Sequence, residues 1–205
     1  MKEEQEYIRD IAEIRSMMER STKFLSLSGW AGIMAGIYAL AGAYIAYAVF
    51  DFHPDVIDYR AGNGNSSLLN VIFLAVSILL LAIGTAISLS SKNANKKGEK
   101  VWNATSRRLL GSMAVPLVAG GFLALIFIAK DLVGLVAPTT LIFYGLALFS
   151  ASKFTYEDVK YLGLIQVALG LIGAYFIPWS LLLWALGFGL VHIGYGIYIH
   201  NKYER

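Results

Sequence analysis

Five stretches of the 205-residue chain contain no Asp, Glu, Lys or Arg: 24–50, 61–91, 109–129, 132–152 and 161–201. They hold 141 residues, so all 31 charged side chains fall in the other 64 positions. About 20 apolar residues, at 1.5 Å each along a helix, cross a ~30 Å hydrocarbon core. Lipid offers the backbone no hydrogen bonds, so a chain that crosses it this way does so as helices. This spacing excludes a soluble globular enzyme and a nucleic-acid-binding protein. It predicts an all-α, polytopic transmembrane bundle.

The stretches set the span count. Four of them each supply one helix, at about 25–50, 68–90, 109–129 and 132–151. The 41-residue stretch is too long for one helix and is divided at Ile177-Pro178-Trp179. Proline starts a helix readily and resists continuing one, which predicts spans at 161–177 and 179–199. Six spans in three helical hairpins result, with tight turns at Lys130-Asp131 and Pro178-Trp179.

Orientation follows from Lys and Arg. Successive hydrophilic segments carry 5, 1, 6, 1, 2, 0 and 2 of them, so 15 fall on one side and 2 on the other. The positive-inside bias then puts both termini in the cytoplasm. Trp30 and Trp102 suit the inner interface, Tyr47 and Trp179 the outer one. The pI near 9.0 reports this asymmetry rather than a nucleic-acid partner. The first apolar stretch, 27 residues long, exceeds the roughly 7–15 of a cleavable signal and is read as a retained anchor. A bacterial inner membrane is the expected location, and the lipid bilayer the expected partner.

Residues 1–23 read as a cytoplasmic amphipathic helix, with Tyr7, Ile11, Ile14 and Met18 on one face. Its six acidic residues oppose adsorption to an anionic leaflet, so the segment is expected to meet the bundle, a second copy or a partner protein.

Small glycine-rich spans suggest an internal repeat. Gly32 and Gly42, Gly111 and Gly121, and Gly163 and Gly173 share one spacing in the odd helices. Gly84, Gly145 and Gly196 recur in the even ones. Lipid gives helices no hydrophobic drive to associate, so small residues that admit close backbone approach are expected at the interfaces, Gly32 and Gly36 among them. Leu162-Gly163-Leu164-Ile165 through Leu169-Gly170-Leu171-Ile172-Gly173, with Pro178, Leu186-Gly187-Phe188 and Tyr195-Gly196-Ile197, resembles the hairpin repeat of the HdeD-like acid-resistance membrane proteins. The resemblance covers about 40 residues well and 109–152 less well. It implies a six-helix bacterial inner-membrane protein linked to acid stress. The segment from Ile14 to Gly29 also resembles uncharacterised bacterial multi-pass proteins.

Within the spans, His192 is the titratable group of physiological range, expected about seven residues from the inner end of span six. Gln166 lies at similar depth on span five, so the hairpin would let the two face each other. That pair is the candidate proton-responsive or ligand-binding site, against the alternative of a neutral bond joining two helices. Pro116 and Pro138, with Thr139 and Thr140, are candidate kinks or path-lining residues. The outer loop's Asp51, His53, Asp55 and Asp58 have no spacing that defines a metal site. With no cysteine, thiolate chemistry and disulfides are excluded. No phosphate-cradling loop, nucleophile elbow or HExxH occurs, so no enzyme activity, metal or cofactor is expected. The leading expectation is a non-enzymatic envelope-stress protein, with a small-solute or ion transporter or channel, or an accessory or sensor subunit, as alternatives.

Overall fold

The computed structural model describes residues 28–54, 64–96, 98 and 102–204. The expected amphipathic helix at 1–23, and Asp55 and Asp58 of the outer loop, lie outside these residues. The described chain is helical, with no strand. Its helices are α1 (Gly29–Ala48), α2 (Gly64–Lys96), α3 (Ala104–Ala129), α4 (Val136–Ala151), α5 (Val159–Tyr175) and α6 (Ile177–Glu204). A single tight turn, Val133–Leu135, leads into α4. Five of the six are long and apolar enough to span a membrane, and α5 is an apolar helix of 17 residues.

Local chemistry explains the boundaries. Asn103 caps α3: its side chain accepts from Ser106 N at 2.8 Å while Ser106 Oγ accepts from Asn103 N at 2.9 Å. This reciprocal pair starts the helix at Ala104 rather than at the charge boundary of 109, and carries Arg107 and Arg108 into the first turn. The α3–α4 turn uses Asp131 at φ 59°, a left-handed conformation that Asp tolerates better than bulkier residues do. Pro178 occupies the opening turn of α6, where a missing N–H costs nothing. Pro138 lies in the first turn of α4 for the same reason, so it does not kink the helix. Pro116 sits within an unbroken α3.

Glycines set the packing, in a register that differs from the expected one. At the α4–α5 seam, a Cβ built on Gly145 would lie 2.5 Å from Gly163 O, and one on Gly163 would lie 2.6 Å from Gly145 O. The α6–α1 seam repeats this: Gly29 faces Gly196 O at 2.5 Å, and Gly196 faces Gly29 O at 2.6 Å. Seven residues along, Gly170 meets Ile142 and Pro138 O as Gly36 meets Ile193 and Gly189 O. Gly29, not Gly32, is therefore the structural equivalent of Gly163.

The other candidate packing glycines divide. Gly32 also faces α6, 3.4 Å from His192 O, whereas Gly42 faces Ile78 of α2. Gly173 meets Pro138 at 3.4 Å and Leu183 at 3.6 Å. Gly111 and Gly121 are exposed, and among the described residues nothing lies within 4 Å of a Cβ built on either, so neither packs within the described chain. Gly120, about 100° further round α3, seats Phe143 instead. In space α2 packs on α1, α1 on α6, α6 on α5 and α4, and α3 on α4.

Candidate intramembrane polar site

Within the α4–α5–α6 contact one polar cluster joins side chains of all three helices. Gln166 of α5 is fully buried and His192 of α6 is 5% exposed. Gln166 Nε2 lies 3.1 Å from His192 Nδ1, so the two expected side chains are adjacent. Two further groups complete the cluster. The carbonyl of Gly187 lies 2.9 Å from His192 Nδ1 and 2.8 Å from Gln166 Nε2, and the Tyr144 hydroxyl lies 3.1 Å from His192 Nε2.

These contacts select one tautomer. A carbonyl only accepts, so the 2.9 Å contact requires the proton on Nδ1, which donates to Gly187 O. Nε2 is then bare and accepts the Tyr144 O–H. Gln166 Nε2–H uses the second lone pair of Gly187 O, and its contact with Nδ1 is that of two donors sharing one acceptor. Turning the Gln166 amide over would bring two oxygens together at that position. Its Oε1 has no hydrogen-bond partner among the described residues.

Residues Ala185–Val191 are wound as a π-helix, and Gly187, whose carbonyl takes both side-chain donors, lies within it. Such segments recur at functional sites. A Cβ at Gly187 would lie 2.5 Å from Gln166 Oε1 and 2.7 Å from Leu141, so glycine is what admits the glutamine.

On one face of α6 an aromatic column extends from the imidazole. Phe188 stacks on His192 at 5.6 Å, Trp184 lies 5.1 Å from Phe188, and Tyr144 lies 5.0 Å from Phe188. Trp184 Nε1 donates to Thr140 Oγ1 at 3.1 Å. Thr140 Oγ1 in turn donates to Ala137 O at 2.7 Å, and Thr139 Oγ1 donates to Leu135 O at 2.7 Å. Both threonine hydroxyls thus serve the first turn of α4 around Pro138. Thr140 is joined to the column, whereas Pro116 on α3 has no contact in this network. Sequence reasoning missed Tyr144, Gly187 and Trp184. Tyr144 precedes the repeat glycine Gly145 as Tyr195 precedes Gly196, but nothing in the sequence aimed that hydroxyl at His192. The α6 helix also runs on to Glu204, twelve residues beyond His192 rather than the seven expected.

A second polar cluster closes the end of the bundle that carries the C-terminal residues. Glu204 Oε1 accepts from Gly29 N at 2.8 Å and Asn93 Nδ2 at 2.9 Å, and Glu204 Oε2 lies 2.6 Å from His200 Nδ1. Asp158 Oδ2 accepts from Lys202 Nζ at 2.9 Å and from Tyr203 O–H at 2.8 Å. The Lys202 hydrogen bond, helped by Tyr203 and opposed by partial burial, holds the Asp158 carboxyl below its ordinary range. Among the described residues, no three His, Asp or Glu side chains converge as metal ligands would.

No known protein family, curated protein or solved structure matches this chain.

Proposed function

We propose that this chain is a non-enzymatic, multi-pass protein of a bacterial inner membrane, of the envelope- or acid-stress type, with His192 as its pH-responsive element. One observation carries this reading: the buried imidazole is held at both nitrogens, and its one free lone pair is the acceptor for Tyr144. Imidazole gains a proton near mildly acidic pH more readily than any other side chain. Protonation on Nε2 reverses the hydrogen bond to Tyr144, because Nε2–H donates to the phenol oxygen and the phenol hydrogen turns elsewhere. The Nδ1–Gly187 bond survives, so the ring stays in place while its partner rearranges. The resemblance to acid-resistance hairpins supports the same reading.

The column makes Trp184 a native reporter. In a protein whose other three tryptophans, Trp30, Trp102 and Trp179, are phenylalanine, Trp184 emission is expected to change between pH 7.5 and 5 in liposomes. His192→Leu is expected to abolish the change. An identical pH profile in His192→Leu would remove the basis for this function.

A further inference from the structure

Two seams of the bundle are the same seam built twice. In α4 and α6 a small residue, an aliphatic and a glycine recur at one spacing: Pro138, Ile142, Gly145 and Gly189, Ile193, Gly196. Their partners on α5 and α1 are a glycine, a β-branched residue and a glycine: Gly163, Val167, Gly170 and Gly29, Ile33, Gly36. Each position meets its equivalent. Gly145 abuts Val167 N at 2.8 Å and Gly196 abuts Ile33 N at 2.7 Å.

The hairpin order supplies a third set. On α2 the corresponding residues are Ser77, Leu81 and Gly84, and on α3 they are Gly111, Val115 and Val118. The Ser77 hydroxyl is satisfied within its own helix by Phe73 O at 2.8 Å, so it can enter an apolar seam. This third seam is not closed. Among the described residues nothing lies within 4 Å of a Cβ built on Gly84 or Gly111, Leu81 is 57% exposed and Val115 is 74% exposed. Neither face carries a charge.

We infer that a second copy of this chain closes it, with α2 of one copy seated on α3 of its partner. The two closed seams state what covers an α2-type face, namely an α3-type face in antiparallel register. The chain's own α3 is not free to serve. The hydrogen bond between the Tyr38 and Thr85 hydroxyls at 3.2 Å, and that from Asn93 to Glu204 at 2.9 Å, hold α2 to α1 and α6. Gly120 on Phe143 and Leu109 packed with Ala151 hold α3 to α4. A twofold axis along the membrane normal closes both open seams at once and keeps both copies in one orientation. Val118 stands where the closed seams have glycine, so the contact is tightest at Gly84 and Gly111 and widens beyond them.

The absence of cysteine gives a clean cross-linking test. Leu148 Cβ lies 3.3 Å from the Cβ position of Gly163, close to the ~3.5–4.5 Å of a disulfide. The equivalent pair in the third seam is Ile87 and Gly111. Differently tagged chains, one Ile87→Cys and one Gly111→Cys, are co-expressed at full length and oxidised in membranes. A disulfide between the two tags is expected. Leu80→Cys, about 10 Å along α2, should pair with Gly111→Cys at least tenfold less. Adding Gly84→Leu, whose Cβ meets nothing within 4 Å among the described residues, should lower the Ile87–Gly111 yield about tenfold without loss of monodisperse protein. Three results would each overturn the inference. These are no cross-link between tags, a cross-link only when both cysteines share one chain, and capture of Ile87→Cys by a cysteine placed within residues 1–27 instead.

Discussion

Gly187 shows how much one residue can decide in this bundle. Its carbonyl accepts from both Gln166 and His192, and its missing side chain makes the room that Gln166 occupies. Gly187→Ala should therefore cost roughly 1–3 kcal/mol through overpacking. Gly194→Ala, which meets nothing within 4 Å among the described residues, should be neutral or gain up to about 1 kcal/mol from helix propensity. Denaturation in mixed detergent micelles checks both, and equal losses would show that the Gly187 contact is not tight. The adjacency of Gln166 and His192 was legible from depth alone, since one hairpin turn puts both at similar distance from the same face. Tyr144 was not legible, because which face of α4 meets α6 depends on the α4–α5 packing.

At the scale of elements, the six helices follow from charge spacing and from Pro178 at the α5–α6 turn, and their ends follow from local polar chemistry. Asn103 and Ser106 moved the start of α3 by five residues, a cap written in the sequence but hidden there by the apolar boundary. The repeat was legible in its even helices, where Gly145 and Gly196 are equivalent. In α1 the register was three residues off, because glycine spacing alone does not say which glycine meets a neighbour's backbone. Gly163→Ala drives a methyl against Gly145 O and Phe149 N, and should cost roughly 1–3 kcal/mol. Gly121→Ala, on the open side of α3, should stay within about 0.5 kcal/mol. Reversal of that order would break the assignment of the seam.

For the whole molecule, the C-terminal turn acts as a clasp that joins α1, α2 and the α4–α5 connection through Glu204, Lys202 and Tyr203. Because the folded Asp158 carboxyl sits below its ordinary range, its contribution is present above about pH 4, the unfolded value. It is lost as pH falls through the lower folded value. Asp158→Asn should cost up to about 1 kcal/mol at pH 7, the scale of a partly exposed ion pair. The deficit should shrink at pH 3 and in 1 M salt. Thermal unfolding of both proteins under the three conditions measures it. The proposed inside–outside assignment predicts that Lys130→Cys reacts with an impermeant maleimide added to intact cells and that Lys153→Cys does not.

Membrane class, span count and the charge asymmetry between the two faces are properties of the sequence by itself, because lipid penalises charge and unpaired backbone at every position separately. Those penalties do not depend on neighbours, so they can be summed along the chain. The cluster at His192, the true register of the glycine seams and the open faces of α2 and α3 were decided only in three dimensions. Each depends on which side of one helix meets which side of another. In a bilayer that choice is made by sub-ångström fit between backbones and small side chains, which no single helix encodes.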